Sequence, residues 1–521
     1  MAAHSILNHA LGPVIRGPSS SHTAGAYHIA ALVRDLLGAA PVRAAFTFDP
    51  AGSYAVCYRR QNADLAFAAG LLGWPITDDR FGRALDAAAE AGLAVTFDVA
   101  PLPEADHPNT VDVALESADG RTLEVRARSI GGGAVEIVRA AGRPVRLTGE
   151  AHEVLVEADA DAADRAAGIL TADGAALGPP ERQTRDGAAL VHARRTTALP
   201  PDTAKRLEAE TGVRSVRSAR PIFLPQPGPA LFASAAEMVD LCAARGLSLG
   251  EAALEYEATL LGLAPEAVLA EIGRRLAVMR AAVASGLGEA PPPMQLLDPS
   301  AGRVMDAEAA GRLIGGLGTR AAARALAAMH TASGGGVVCA APTGGAAGVL
   351  PAVLATWQDE RGLDERDAAL ALLAAGAVGV VIANRATFAA EVAGCQVEIG
   401  AAGAMAAAAC VQAAGGDARR AADAAAVALQ NTMGSVCDLV QGIVEIPCHT
   451  RNAAAAAAAF VCADLVRGGY ANPVPLDETI DAVFAVGRML PSELRCTALG
   501  GLAQAPAAKA LRLRDTRAGG A

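Results

Sequence analysis

Three cysteines in the last quarter of the chain each stand in a short, distinctive setting: Gly394-Cys395-Gln396, Val436-Cys437-Asp438 and Pro447-Cys448. Cysteine thiolates hold the irons of iron–sulfur clusters, and a cubane held by only three of them keeps one iron free to bind a substrate and act as a Lewis acid. The cysteines are 42 and 11 residues apart, a spacing that matches no compact C-x-x-C motif. The fold must bring the thiols together, and buried structural cysteine is the competing reading of the spacing alone.

A second set of groups is polar. Gly17-Pro18-Ser19-Ser20-Ser21-His22-Thr23 precedes an apolar helical stretch, so its hydroxyls and N–H groups fall at a helix N-terminus, which attracts anions such as a substrate carboxylate. A simple cap needs one hydroxyl, whereas here four accompany a histidine. Ala341-Pro342-Thr343-Gly344-Gly345 is a second loop of this kind, with a plain Pro/Gly turn as its alternative. His107 and Asn109, in the run HPNT, are further polar candidates, and a satisfied structural histidine is the alternative there. Cys339 reads as a buried thiol outside the ligand set.

The lysines weigh against one chemistry. Amino-acid lyases that use pyridoxal phosphate need a lysine for the Schiff base, yet the only lysines are Lys205, in the charged stretch AKRLEAETG, and Lys509, near the C-terminus. Neither setting suits an active-site lysine, so an electrophile must come from elsewhere.

The elements that position these groups fall into three parts. Residues 1–148 mix apolar helical periodicity (Ala24 to Leu37, Asp79 to Ala91) with the β-rich runs VRAAFTF, LAVTFDV, TVDVALES and AVEIVRA, and form an α+β domain. Residues 149–228 read strand, helix, two strands around the Arg185-Asp186-Gly187 turn, helix, strand, an order that suggests a ferredoxin-like, ACT-type segment; a decayed spacer is the alternative. The Pro-rich linker Pro221 to Pro229 leads into residues 229–521, read as an all-α catalytic domain of Ala-rich helices with Gly-rich turns and a loop from Gly286 to Pro299. A fold class of multidomain α+β, ACT-type and all-α parts follows.

The runs AGCQVEIGAAGAMAAA, GSVCDLVQGIVEIPCHTRNA and LRCTALGGLA resemble the catalytic (alpha) part of the iron–sulfur-dependent L-serine dehydratases, the L-serine ammonia-lyases. LGPVIRGPSSSHTAGA, HPNTVDVAL and RSIGGGAVEIV resemble the small (beta) part, so the chain looks like a single-chain form with both parts fused. The resemblance covers most of residues 5–150 and 230–505 in one consistent order. It implies a 4Fe-4S cluster on Cys395, Cys437 and Cys448, an active site at the S-S-S-H-T motif, and β-elimination of L-serine to pyruvate and ammonia. The expected substrate-binding residues are Ser19, Ser20, Ser21, Thr23, Asn109, Thr343 and Arg60.

The sequence departs from the family at its base. Where members carry G-H-x-T-D, this chain has Arg60-Gln61-Asn62-Ala63-Asp64, and a glutamine amide cannot accept a proton at neutral pH. Either His22 or His107 takes the catalytic role, or the substrate is a different β-substituted amino or hydroxy acid, in which Arg60 could pair with an extra anionic group. The stretch Asn384 to Ala390 has lost two hydroxyls, Cys496-Thr497 stands where Glu-Thr is usual, and the C-terminal RAGGA has no terminal cysteine to occupy the fourth iron. A non-catalytic amino-acid sensor is the reading from another class, and retention of the ligand cysteines speaks against it.

Composition bounds the partners. A net charge of −11 and 3% aromatic residues argue against nucleic acid, because phosphate neutralisation needs clustered Lys and Arg and base stacking needs aromatic rings. The N-terminus lacks the pattern of a signal peptide, and the apolar run Ala368 to Ala383 reads as a buried core helix rather than a membrane span. Nine irregularly spaced cysteines suit reduced thiols or metal ligation. The expectation is a cytoplasmic enzyme for a small amino acid, with no membrane partner and, from its Ala-rich helix faces, a homodimer.

Overall fold

The N-terminal segment does not stay in its own half. In the computed structural model, which describes residues 4–516, a helical turn Ile6–Ala10 is buried against the helix Glu365–Arg385 of the other half. The buried Glu257 carboxylate accepts from the Ile6 and Leu7 N–H groups at 2.7 and 2.9 Å and so pins this turn. The short strand that follows, β1 (Val14–Arg16), carries the chain to the Ser-rich loop.

Next come β2 (Pro41–Phe48), β3 (Ala94–Val99), β4 (Thr110–Ser117), β5 (Thr122–Gly131), β6 (Ala134–Ala140) and β7 (Arg143–Leu147). They form one six-stranded sheet in the order β3-β2-β4-β5-β6-β7. Only the β2–β3 pair is parallel, and helices Ser53–Cys57, Ala63–Leu72 and Ala84–Glu90 make that crossover. Helix Gly25–Leu37 packs on the sheet with its apolar face. The expected helix Asp79 to Ala91 is divided: Asp78 caps a tight turn over Asp79–Arg83, and the α-helix begins only at Ala84.

A smaller unit follows, with β8 (His152–Asp159), helix Ala163–Thr171, β9 (Glu181–Arg185), β10 (Ala188–Arg195), helix Pro201–Glu208 and β11 (Val213–Ala219). Its sheet runs β11-β8-β10-β9, antiparallel throughout, over a separate apolar core that includes Val154, Val156, Leu170, Val191 and Leu207. Sheets thus occupy the N-terminal half and helices the C-terminal half.

One strand interrupts the helical half, where none was expected: β12 (Val337–Cys339) pairs antiparallel with β1, Val14 opposite Cys339 and Arg16 opposite Val337. Three residues are too few to show a strand period, so only pairing with the other half reveals them. A single large core runs through both halves. Helix Glu365–Arg385 has the length and hydropathy of a membrane span, but 78% of its apolar window is buried inside this core, against helices Leu249–Leu261 and Ile399–Ala413. The terminal RAGGA segment lies outside the described residues.

Candidate active site

The three cysteines each occupy a helix entrance or the loop beside one. Cys395 opens a tight turn that runs into helix Ile399–Ala413, and Cys448 begins helix Cys448–Arg467 directly after Pro447. Cys437 lies in the extended loop after helix Ala418–Thr432. Gly394, at φ +76, brings the first two loops together: a Cβ there would meet the Ser435 carbonyl oxygen at 2.8 Å, and the Cys395 N–H donates to that same oxygen at 2.9 Å. The Gln396 side-chain carbonyl accepts from Gly434 N–H at 2.9 Å and doubles the tie.

All three thiols are buried, at 2%, 2% and 4% exposure. The Cys395 and Cys437 sulfurs and a Glu398 carboxylate oxygen lie within 4.8 Å of one another. The Cys437 thiol beside it, and then burial, push the Cys395 thiol well above the ordinary cysteine range. Burial, then Cys395 and Glu398, do the same to Cys448. Arg451 is the cation of this wall: it donates to the Val436 carbonyl at 2.7 Å and pairs with Asp438 at 2.9 Å. Crowded, desolvated soft donors at two helix N-termini are what a thiophilic metal centre relieves, so the residues fit an iron–sulfur cluster. A cavity of about 250 Å³, lined by Gly403, Thr432, Arg451 and Ala455, reaches Cys395 from the helix side.

Facing the thiols is a wall from the N-terminal half. Ser20–Ala24 forms a wide turn at the start of helix Gly25–Leu37, and every residue of S-S-S-H-T is buried. Most of its hydroxyls are engaged by the protein itself. Ser19 caps the turn by accepting from His22 N–H, Thr23 donates to the Gln61 carbonyl at 2.7 Å, and Ser20 accepts from Gly344 N–H at 3.1 Å. That last bond joins the two loops, and Gly344 is required by the approach, since a Cβ would lie 2.8 Å from Ser20 N.

His22 sits at the centre, fully buried. Its Nε2 is 2.9 Å from the Ser53 hydroxyl, and its Nδ1 is 3.3 Å from Ser19 Oγ and 3.9 Å from a Glu391 oxygen. Burial, only partly offset by Glu391, lowers its pKa below that of a free histidine. His107 lines a cavity of about 440 Å³ with Arg128, Gly131, Gly132, Phe388 and Val392. Its Nδ1 accepts from Asn109 N–H at 3.1 Å, which places the proton of the neutral ring on Nε2. Arg60 does not join the group: it donates to the Gln441 carbonyl and lines a surface cleft with Arg59 and Arg80.

Two carboxylates escaped the sequence reading. Glu391 and Glu398 flank Cys395 on short turns, and Glu398, pushed up to about 8 chiefly by burial, faces Thr343. A weak signal was available: both acids interrupt an apolar run next to a candidate ligand. Gln61 is buried beside His22 and donates to Gly442 in the Cys437–Cys448 loop at 2.9 Å. Several buried polar atoms here have no hydrogen-bond partner: Gln61 Oε1, Asn109 Oδ1, Ser129 Oγ and Glu391 Oε2. Native interiors rarely leave such atoms unmatched, so each is a candidate contact for a polar ligand.

Residues 244–503 match the family model described as serine dehydratase alpha chain. A probable L-serine dehydratase alpha chain of Bacillus subtilis is 34% identical over 282 residues, covering 54% of this chain and 94% of that protein. One from Latilactobacillus sakei is 45% identical over 180 residues, 34% of this chain and 86% of its own length. A probable L-serine dehydratase beta chain, again of Bacillus subtilis, is 38% identical over 149 residues, 28% of this chain and 64% of that one. The chain belongs to the serine dehydratase family and carries, in one polypeptide, sequence that its Bacillus subtilis relatives divide between an alpha and a beta chain.

Proposed function

We propose that the protein is an iron–sulfur-dependent L-serine ammonia-lyase that releases pyruvate and ammonia, with its cluster on Cys395, Cys437 and Cys448. The observation that carries the reading is the buried Cys395 and Cys437 thiols gathered with Glu398, the buried Cys448 next to Cys395 and Glu398, and a buried histidine facing Glu391. When bound, the cluster would supply a Lewis-acidic iron to activate the serine hydroxyl as a leaving group.

The remaining work falls to the chain. His22 is the base: Glu391 lies 3.9 Å from its Nδ1, Nε2 faces the Ser53 hydroxyl, and the lowered pKa keeps the ring unprotonated at neutral pH. His107, with its proton on Nε2, is a donor to the substrate rather than the proton acceptor. The unpartnered oxygens of Gln61, Asn109 and Glu391 suit the substrate ammonium, and the hydroxyls of Ser129 and Thr343 suit its carboxylate. Gln61, in the place of a family histidine, thus binds and does not move a proton. The released aminoacrylate tautomerises and hydrolyses in water. Both lysines are exposed, Lys205 on helix Pro201–Glu208 and Lys509 near the end, which supports a reaction without pyridoxal phosphate. Nine unpaired thiols among the described residues support a reducing, cytoplasmic setting.

The β8–β11 unit we read as an ACT-type regulatory domain. Its β-α-β-β-α-β order, with the first strand between the fourth and the third, supports this. A second molecule of labelled L-serine bound per chain in a Cys437→Ala variant would bear it out.

An anaerobic assay of reconstituted protein with L-serine tests the main reading. Pyruvate formation that needs the cluster and disappears in air is expected. An intact cluster that yields no pyruvate from serine would refute serine as substrate and direct the search to other β-substituted acids.

A further inference from the structure

A fourth thiol reaches the cluster site from a part of the chain that the ligand motif does not include. The segment Leu494–Thr497 is stitched along Cys437: Cys437 N–H donates to the Leu494 carbonyl at 2.8 Å, and Cys496 N–H donates to the Cys437 carbonyl at 2.8 Å. Arg495 pairs with Cys437 as a one-residue parallel bridge and donates to the Val392 carbonyl at 3.3 Å, which anchors the segment to the Glu391 turn. Asp438 accepts from Leu502 N–H at 2.7 Å and fixes the downstream side. Cys496 itself takes the left-handed backbone conformation, φ +59, uncommon outside glycine and asparagine. It turns the thiol onto that of Cys437, so that Cys437 lies between Cys395 and Cys496. Glu391, more than nine-tenths buried and with Oε2 unpartnered, is close to the same thiol.

The other nearby cysteine is differently placed. Cys57 is also close to Cys496, but its thiol donates to the Ser53 carbonyl at 2.9 Å, on the imidazole side. Cys496 is the one cysteine of the chain that is not fully buried, which puts it on the outer edge of the thiol group.

We propose that Cys496 is a fourth thiolate ligand, closing on the iron that Cys395, Cys437 and Cys448 leave open. The proposal rests on the cluster reading above. In the resting enzyme every iron would then be held by sulfur. A substrate that reaches the Cys496-bound iron would exchange the thiolate for an oxygen of its own, with no change of redox state. The released thiolate takes a proton from water.

The test uses the full chain, reconstituted anaerobically with iron and sulfide. Mössbauer spectra of the wild-type protein should show all irons in sulfur coordination, and Cys496→Ala and Cys496→Ser should each show one iron with an oxygen or nitrogen ligand. In air the variants should pass to the three-iron form, read by EPR, roughly tenfold faster or more. Alkylation of the unaltered protein gives a second readout: Cys496 should react in the metal-free chain and be protected once the cluster is loaded. One distinct iron already present in the wild type, or equal alkylation in both forms, overturns the proposal while leaving the cluster reading intact. A wild-type chain that binds no cluster at all overturns both.

Discussion

The thiol wall and the imidazole wall of the site are built by opposite means. On the thiol side, Cys395 and Cys448 stand where long helices begin and Cys437 in the loop between them, and backbone hydrogen bonds, Gln396 and Arg451 tie these loops together. On the imidazole side, the hydroxyls of Ser19, Ser20 and Thr23 are spent on capping their loop and tying it to the Gly344 and Gln61 loops, while Gln61, Asn109 and Ser129 keep polar atoms unmatched. The difference separates two tasks. A cofactor that stays needs its ligands fixed in advance, and a substrate that comes and goes needs polar groups held in place but left unsatisfied.

If the walls are separable, damage to one should spare the other. Cys437→Ala should remove bound iron and sulfide and lower serine turnover at least about a thousandfold, with the fold at His22 unchanged by circular dichroism. Full iron content in this variant would break the assignment of the thiol wall.

Acid should loosen the imidazole side through a second histidine beneath it. His28, bonded to the Gly133 carbonyl at 2.7 Å, is held by burial at a pKa of about 4 against an ordinary 6.5. The unfolded chain takes up this proton first, so the contribution of neutral His28 is complete above pH 6.5 and is lost as pH falls toward 4. It amounts to about 3 kcal/mol. Denaturant unfolding across that range should show the loss in the wild type and less of it in His28→Gln.

Glu391 joins the walls, and its substitution sharpens the contrast. Glu391→Gln should keep the cluster and lower kcat about 10- to 100-fold. Because the Glu391 charge raises the His22 pKa against burial, the acid limb of kcat/KM should also move to lower pH. A smaller effect is expected where the two glycine-bearing loops touch: Gly344→Ala, pressed on Ser20 N, should cost about 1–3 kcal/mol in unfolding free energy, with the iron content retained.

The three cysteines were legible as candidates because a thiol in an unusual local setting is rare enough to stand out and because their loops resemble a known family. The helical half and the strands β2, β3, β4 and β6 were legible from their periodicity. What the sequence did not show was set by distant contacts. β12 exists only through β1, Glu391 and Glu398 matter only because the fold turns them toward His22 and Thr343, and Arg60 faces outward because Gln441 takes its guanidinium. Cys496 stood out only as a departure from Glu-Thr, since nothing local tells that its segment runs along Cys437.

The claim that proton removal and cluster holding lie on different walls is tested most directly by His22→Gln, loaded and assayed anaerobically with L-serine. The account predicts a full cluster and a turnover reduced about 10²- to 10⁴-fold. Turnover within a few-fold of the wild type would contradict it and pass the base to another residue.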